Sequence, residues 1–310
     1  MDEHRELSID KPTPPHLAAD VIWKYLSEHV HQLMAQALTS GSQFAPLPYT
    51  PEQTYQRFRF AMSYYDATLQ HILRWVYESV GNDNFTYPLT PRCMQYLAFF
   101  VAAVTRKPVD EIRGYLTELD GDQQIRDYYR TVFDLKLSPI SPEFNPGRRL
   151  GWYAVVRALK PRVVVETGVN AGLGALTLAA AILRNRAEGF PGTYYGTDIW
   201  PDAGSLLRDR YAEAGRVLYG DSLQSLAALE ETVDLFINDS DHSSEYEARE
   251  YRIIEPKLSP GAVILGDNAH ATDSLVQFAY ATGRQFLFFR EEPAEHWYPG
   301  GGIGAAFWPG

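Results

Sequence analysis

A glycine-rich run directly follows a short apolar stretch in this sequence. The run reads Glu166-Thr-Gly168-Val-Asn170-Ala-Gly172-Leu-Gly174. Glycine has no Cβ, so a backbone rich in glycine can turn sharply and approach a ligand closely. The carboxylate before the first glycine would repel a phosphate, and the spacing differs from the Gly-x-Gly-x-x-Gly of dinucleotide sites. We therefore predict that five residues bind a positively charged cofactor without a phosphate: Glu166, Gly168, Asn170, Gly172 and Gly174.

Two further apolar stretches end in acidic residues. Asp198 ends one of them, where a carboxylate can accept hydrogen bonds from both hydroxyls of a ribose. Asp221 and Ser222 follow the next stretch and are predicted to contact the edge of a nucleobase. Each of these residues is also compatible with a turn or a helix N-cap, as the glycine-rich run is with a plain strand-to-helix turn. Their order along the chain favours cofactor binding.

Polar residues also follow the next two apolar stretches. Asp239, Asp241 and His242 come after the first, and Asp267 and Asn268 come after the second. Since neighbouring parallel strands end at one edge of a sheet, we expect Asp239, Asp267 and Asn268 to meet there. Two carboxylates and an amide oxygen suit Mg²⁺, and a cation would offset the cost of burying the carboxylates. Asp239 is also a predicted cofactor contact. The alternative is N-capping by Asp241 and a simple turn at the second pair.

The elements that position these residues follow from the alternation of apolar stretches and helical patterns. Strands are predicted at residues 162–166, 193–198, 216–219, 233–238, 262–266, 285–290 and 302–307, with helices between the first six. One of these helices is predicted over residues 203–214. Strands separated by helices indicate an α/β fold with a parallel sheet covered on both faces. We predict a seven-stranded, mostly parallel sheet that ends in a C-terminal hairpin.

The first 140 residues show helical periodicity and no strand signals, so we predict an all-helical N-terminal domain over 1–140 and a catalytic domain over 141–310. The first helix is expected at about 18–38. Aromatic side chains are dense in this half. They are typical either of helix packing with a homodimer interface or of a lid that lines a substrate pocket.

Composition excludes several classes of function. The formal charge is −11, and residues 151–310 carry 13 Lys or Arg against 21 Asp or Glu, so a nucleic-acid substrate is not expected. No run of eighteen apolar residues exists that could span a membrane. The N-terminus lacks the apolar stretch of a signal peptide. The single cysteine, Cys93, is interpreted as a packing residue, and a cytoplasmic location is expected.

These motifs together resemble the class I S-adenosylmethionine-dependent methyltransferases. Residues 161–310 are similar to the cation-dependent O-methyltransferases, which include catechol, caffeoyl-CoA and antibiotic-tailoring sugar O-methyltransferases. The resemblance implies a Rossmann-like fold and S-adenosylmethionine as cofactor. It also implies Mg²⁺ or another divalent cation at the positions of Asp239, Asp267 and Asn268. The run Asp-Ser-Asp-His-Ser-Ser-Glu-Tyr with Pro-Lys-Leu-Ser-Pro-Gly resembles the bacterial natural-product branch. Residues 1–140 match no such family.

The resemblance leaves the base open between two residues. Catechol-type enzymes carry a lysine three residues after the first metal aspartate, where this chain has His242, and sugar-type enzymes carry an aspartate two residues after it, where this chain has Asp241. Either side chain would remove the proton of a substrate hydroxyl. The expected function is therefore O-methylation of a small hydroxylated molecule. The alternatives are metal-independent N- or C-methylation, a NAD-dependent oxidoreductase, and a non-catalytic subunit that binds a partner.

Overall fold

The computed structural model describes residues 49–78, 84–134 and 143–309, together with residues 24, 25, 27–29, 31 and 32. The chain divides into two compact units, Met1–Tyr65 and Asp66–Gly310. The helix expected at about 18–38 lies for the most part outside the described residues. The predicted domain boundary between 140 and 141 also lies outside them and stays a prediction.

The first unit contains helix α1, Pro51–Met62. Thr50 caps this helix, because its hydroxyl accepts a hydrogen bond from the Gln53 amide while the Gln53 side chain accepts one from the Thr50 amide. Pro51 occupies the first helical turn, where its missing N–H leaves no intrahelical bond unmade.

The second unit begins with five helices: α2 Asp66–Glu78, α3 Pro91–Thr105, α4 Val109–Asp120, α5 Gln123–Asp134 and α6 Arg149–Leu159. The apolar residues of α3, α4 and α5 recur three and four positions apart, so each of these helices buries one side, whereas α6 is buried all round from Arg149 to Ala158. Leu97, Ile112, Ile125 and Trp152 belong to one hydrophobic cluster that also contains residues of the sheet. Cys93 lies in the same cluster, as a packing residue should. No helix among the described residues has both the length and the apolar composition needed to cross a bilayer.

The rest of the second unit alternates strands and helices. The elements are β1 Val163–Thr167, α7 Leu173–Ala187, β2 Thr193–Asp198, α8 Asp209–Ala212, β3 Gly215–Tyr219, α9 Ser222–Ala228, β4 Val233–Asn238, α10 Ser244–Ile254, a 3₁₀ turn Glu255–Lys257, β5 Leu258–Asp267, α11 Ser274–Thr282, β6 Gln285–Arg290 and β7 Gly302–Phe307. The strands form one sheet in the order β3-β2-β1-β4-β5-β7-β6. Only β7 runs antiparallel to its neighbours. The predicted seven-stranded sheet with its terminal antiparallel pair is confirmed.

The helix predicted over residues 203–214 is wrong for most of its length. Only Asp209–Ala212 is helical, and turns precede it. The Gly204 amide donates to the Asn170 carbonyl at 2.6 Å, and the Leu206 amide donates to the Ala171 carbonyl at 3.0 Å. Gly204 has a φ of +77°, which an α-helix does not allow, and the two hydrogen bonds hold this turn against the glycine-rich run. A pattern of apolar residues along the sequence does not predict hydrogen bonds between segments that are distant in the sequence.

The sheet has a hydrophobic layer on each face. Along β4, Leu235 and Ile237 join the layer that includes α6 and α7, whereas Phe236 joins the layer formed with α10 and α11, because successive strand residues point to opposite faces. The central parallel strands are thus covered on both sides. The carboxyl ends of β1, β4 and β5 consequently meet at one edge, next to Asp239 and Asp267.

The substitution Phe236→Ala should lower the free energy of unfolding by about 3–5 kcal/mol, since it removes a fully buried ring and leaves a cavity against Tyr251. Chemical denaturation measures this loss. Phe99→Ala is the matched control, because Phe99 is 58% exposed on α3, and its loss should stay below about 1 kcal/mol. Equal losses in the two variants would contradict the described packing of β4.

Candidate active site

A cavity of about 740 Å³ opens at the carboxyl ends of the strands. Residues from the ends of β1 to β5 line it, and most of the predicted site residues are among them: Glu166, Gly168, Asn170, Gly174, Asp198, Asp221, Ser222, Asp239, Asp241, His242, Asp267 and Asn268. Gly172 does not line the cavity. It precedes the first residue of α7, and a Cβ at this position would lie 3.1 Å from the Cα of Gly204. The strand ends therefore bring together residues that are up to 102 positions apart, from Glu166 to Asn268.

Two glycines of the run are required by close contacts. Gly168 has a φ of +79°, and a Cβ there would lie 2.0 Å from the Asp239 carbonyl oxygen. Gly174 lies in α7, where a Cβ would lie 2.1 Å from Oε1 of Glu166. Gly168 thus permits the close approach of the segments that follow β1 and β4, and Gly174 leaves room for the buried carboxyl group of Glu166.

Glu166 is a buried carboxyl group beneath the glycine-rich run. Its side chain is 1% exposed, and the Tyr194 hydroxyl donates to its Oε2 at 2.5 Å. Burial raises its pKa from the ordinary 4.5 to about 8, while the Tyr194 hydrogen bond and the Arg149 guanidinium act in the opposite direction. At neutral pH the empty site therefore favours the protonated acid. A positively charged ligand nearby would favour the carboxylate.

Asp198 and Asp221 organise the loops after β2 and β3. Asp198 accepts hydrogen bonds from the amides of Asn170 at 2.8 Å and Trp200 at 2.9 Å, one on each oxygen. Asp221 caps α9 by accepting from the Leu223 amide at 2.8 Å, and it also accepts from the Tyr246 hydroxyl at 3.0 Å. Every carboxylate oxygen has more than one lone pair, so both residues can shape a loop and still accept from a ligand.

A buried glutamate that the sequence reading missed joins several of these strand ends. Glu250 of α10 is fully buried, and its carboxyl group accepts from Thr167 at 3.1 Å and Ser240 at 2.8 Å. It also accepts from the Ser222 hydroxyl and the Asn238 amide. Burial raises its pKa, and the hydrogen bonds oppose that shift. The sequence offered one indication of this role, because Glu250 lies on the apolar face of a predicted helix, where a carboxyl group needs polar partners.

Two arginines at the start of α6 face the acidic residues of the cavity. The Arg148 guanidinium forms a bidentate pair with Asp267, with Nε 2.5 Å from Oδ1 and Nη2 bonded to Oδ2. Arg149 places Nη2 3.6 Å from Oδ2 of Asp239 and lies over the Trp152 ring at 5.3 Å. Burial opposes ionisation of Asp267, yet the Arg148 guanidinium outweighs burial and lowers its pKa to about 2. For Asp239, burial and the Asp267 charge raise the pKa.

The sequence reading also missed this arginine pair, although a signal existed. Arg148 and Arg149 open a helix whose next residues, Leu150–Val156, are all buried. Cations are unfavourable at the positive end of the helix dipole. Two adjacent arginines in that position therefore need acidic partners. Asp239 and Asp267, predicted at the edge of the sheet, are the acids that could have been assigned to them.

As they lie, these residues do not fit a magnesium ion. Ligand atoms of Asp239, His242 and Asp267 fall within 4.8 Å of one another. The guanidinium of Arg148, however, donates a hydrogen bond to each oxygen of Asp267. The third predicted ligand, Asn268, turns its Nδ2 toward His242 Nε2 at 3.3 Å. Asn268 Oδ1 has no hydrogen-bond partner among the described residues, but with both oxygens of Asp267 engaged by Arg148 the three-oxygen set that Mg²⁺ would need is incomplete.

The two candidate bases differ in their surroundings. His242 places Nδ1 3.4 Å from Oε1 of the buried Glu247 and Nε2 3.3 Å from the Asn268 amide nitrogen. These contacts assign the proton to Nδ1 and leave a lone pair on Nε2. The Glu247 hydrogen bond raises the pKa of His242. Asp241 is exposed, and its Oδ1 accepts from the Ser243 amide at 2.8 Å in the turn before α10.

Comparison with known proteins gives a match of residues 165–269 to the family model of a methyltransferase domain. No curated protein matches the sequence. The fold is similar to cofactor-bound Rv0187 from MTB (19% identity, 50% of this chain and 76% of that one, TM-score 0.43). It is also similar to an O-methyltransferase from Bacillus cereus in complex with SAH (16%, 60% and 91%, 0.44). A third similar structure is TomG from Streptomyces achromogenes, an O-methyltransferase involved in tomaymycin synthesis, with SAM (15%, 61% and 91%, 0.43).

Glu166→Gln should flatten the dependence of stability on pH in the protein without ligand. The folded pKa of about 8 exceeds the unfolded 4.5, so the stabilisation from protonated Glu166 is complete below 4.5 and is lost as pH rises through about 8. Glutamine is neutral throughout. Melting temperatures between about pH 6 and about pH 9 should therefore fall less in the variant.

Glu231→Gln is the matched control for this measurement. Glu231 accepts a comparable hydrogen bond from Tyr195 at 2.6 Å, but at the surface, and that bond lowers its pKa. This variant should keep the pH dependence of the unchanged protein above about pH 6, where Glu231 is ionised in both states. A Glu166→Gln profile that matches the control would contradict the protonated state of the buried acid.

Proposed function

We propose that this chain, which carries a class I S-adenosylmethionine-dependent methyltransferase domain, transfers the methyl group to a hydroxyl oxygen of a small molecule. The observation that carries the proposal is a single cavity that is lined both by the cofactor residues of β1 to β3 and by His242. A methyl donor and a base on the same cavity are the two requirements of hydroxyl methylation.

The cofactor part of the proposal follows the strand ends in order. Glu166 offers a carboxyl group for the charged sulfonium and amino acid portion of S-adenosylmethionine, and Asp198 offers acceptors for the ribose hydroxyls. Asp221 and Ser222 border the same cavity for the adenine. Ile199 and Trp200 also line it and expose 66% and 64% of their surface. A flat apolar ring would cover that exposed surface.

His242 is the proposed base. Glu247 holds the Nδ1 side of the ring, which leaves Nε2 as the acceptor nitrogen. An acceptor hydroxyl would replace the long 3.3 Å contact that the Asn268 amide makes with Nε2. Nε2 takes the proton of the acceptor hydroxyl, and the oxygen attacks the sulfonium methyl. A C–O bond forms as the C–S bond breaks, and S-adenosylhomocysteine leaves with both electrons of that bond. Asp241 is the weaker candidate, because its carboxylate is exposed to solvent, whereas the His242 ring is oriented by the buried Glu247.

The finer expectations from the sequence remain predictions. They are a role in bacterial natural-product biosynthesis, a cytoplasmic location and a homodimer through the N-terminal helices. The fourth expectation, assistance by Mg²⁺, does not fit the arginine-paired acids of the site, and no step is derived through it. N- or C-methylation on the same fold stays the alternative reaction, and product analysis on a panel of hydroxyl and amine acceptors separates these reactions. Neither nucleic acid nor membrane is proposed as a partner.

S-adenosylhomocysteine should raise the melting temperature of the protein, whereas NAD⁺ should not, because the glycine spacing differs from the Gly-x-Gly-x-x-Gly of dinucleotide sites. Asp198→Asn should weaken S-adenosylhomocysteine binding about tenfold or more, since it removes a charged acceptor for the ribose. Thermal unfolding with and without each ligand measures the melting temperatures, and calorimetric titration measures the affinity for S-adenosylhomocysteine. Asp202→Asn is the control, because Asp202 is exposed in the same loop. Stabilisation by NAD⁺ alone would favour the oxidoreductase alternative.

His242→Gln should lower kcat for methyl transfer by roughly 10²- to 10⁴-fold, the usual contribution of a general base, and should leave the affinity for S-adenosylhomocysteine unchanged. Mass spectrometry of products from the acceptor panel gives the rate. Glu245→Gln, an exposed acid at the start of α10, should retain full activity. An active His242→Gln variant combined with an inactive Asp241→Asn variant would transfer the role to Asp241.

A further inference from the structure

We propose that the two arginines at the start of α6 take the place of a divalent cation in this site, so that methyl transfer requires no metal ion. Arg148 neutralises Asp267, and Arg149 provides the positive charge that faces the acceptor oxygen. The inference rests on the proposed methyl transfer for its chemical meaning, but the absence of a cation site can be measured without any acceptor.

The Arg148 guanidinium occupies the acid at the end of β5 that a cation shared by the strand ends would need. It bonds both oxygens of Asp267, and the two side chains are 5% and 0% exposed. Bidentate pairs of this kind are among the strongest hydrogen-bonded ion pairs. A metal ion on an Asp267 oxygen would lie within a few ångströms of this buried positive charge, and like charges at that distance repel strongly where water is excluded.

Arg148 is also held from its other side. Its Nη1 donates to Glu291 Oε1 at 2.9 Å and to the Tyr87 hydroxyl oxygen at 2.6 Å. The same Glu291 oxygen accepts from the Gly301 amide at 2.7 Å and from the Tyr87 hydroxyl at 2.9 Å. Moving the guanidinium aside for a metal would leave Glu291 as a buried carboxylate without its cation, which is costly. The fold therefore keeps Arg148 on Asp267.

Arg149 supplies the second charge and has donors to spare. It is 7% exposed, it lines the cavity, and its Nε and Nη1 have no hydrogen-bond partner among the described residues. Buried donors without partners are destabilising, so a ligand oxygen in the cavity is the expected partner. A guanidinium that binds an oxygen as it loses its proton stabilises the developing negative charge, which is the electrostatic role of a metal ion in such a reaction.

Each of the three acids near the predicted metal position already has a guanidinium as its partner. The guanidinium of Arg148 pairs with both Asp267 and Glu291, and that of Arg149 pairs with Asp239. Two positive groups thus face three carboxyl groups. In a site of this kind the buried carboxylates already have counter-charges, which removes the reason for which a cation was inferred from the sequence.

The experiment titrates the full chain, dialysed against EDTA, with Mn²⁺ followed by electron paramagnetic resonance. Mn²⁺ prefers the same oxygen ligands as Mg²⁺ and gives a direct signal. The unchanged protein should show no specific Mn²⁺ site. Arg148→Met should bind one Mn²⁺ at least about tenfold more tightly than the unchanged protein, because it frees both Asp267 oxygens. Arg148→Met without such a gain would overturn the proposal.

The matched control is Arg157→Met. Arg157 is buried in the same helix and is ion-paired with Glu118 and Glu188, but it does not line the cavity. Its loss should not change Mn²⁺ binding. If Arg148→Met does not fold, the unchanged protein and Asp267→Asn still decide: stoichiometric Mn²⁺ binding that Asp267→Asn abolishes overturns the proposal, and its absence supports it. S-adenosylhomocysteine binding, measured in parallel, reports separately on the proposed function.

Discussion

The site depends on one physical constraint, the cost of burying carboxyl groups at an edge of a sheet from which water is largely excluded. Glu166, Glu250 and Asp267 are each at most 1% exposed, and each meets the constraint differently. Glu166 has a raised pKa and a phenol partner. Glu250 collects hydroxyl and amide donors, and Asp267 has a guanidinium. Because every solution uses side chains from other elements, the acids fix the ends of β1, β4 and β5 relative to α6 and α10.

This constraint explains why helices before the sheet belong to the site. Arg148 reaches the edge only because α6 packs in the same hydrophobic layer as α7. Tyr87 and Glu291, far apart in sequence, meet on that guanidinium. The segment around Tyr87 therefore contributes to the electrostatics of the cavity as well as to packing. A catalytic domain that began at the first strand would lack the counter-charge of Asp267.

The sequence was sufficient for features that repeat locally. Strand periodicity, glycine spacing and acids at strand ends predicted the seven-stranded, mostly parallel sheet, and they placed Asp239 and Asp267 at one edge of it. It was insufficient where long-range bonds decide. Residues 203–206 turn because Gly204 binds the Asn170 carbonyl, and Arg148 pairs with a residue 119 positions away. Asp239, Asp267 and Asn268 looked like a cation site because the buried arginine partners of the two acids lie outside the motif.

The same electrostatics links cofactor binding to the protonation of Glu166. The two guanidiniums of the cavity already engage Asp267, Glu291 and Asp239, and a sulfonium adds a further positive charge next to Glu166. Protonated Glu166 offers that charge no compensation, whereas the carboxylate does. Binding of a positively charged cofactor therefore favours release of the Glu166 proton, and by linkage a higher pH strengthens cofactor binding until Glu166 is ionised in the empty protein as well. The buried acid thus selects for a cationic cofactor over a neutral nucleoside of the same shape, since only the cation repays ionisation of a carboxyl group that the fold otherwise keeps neutral.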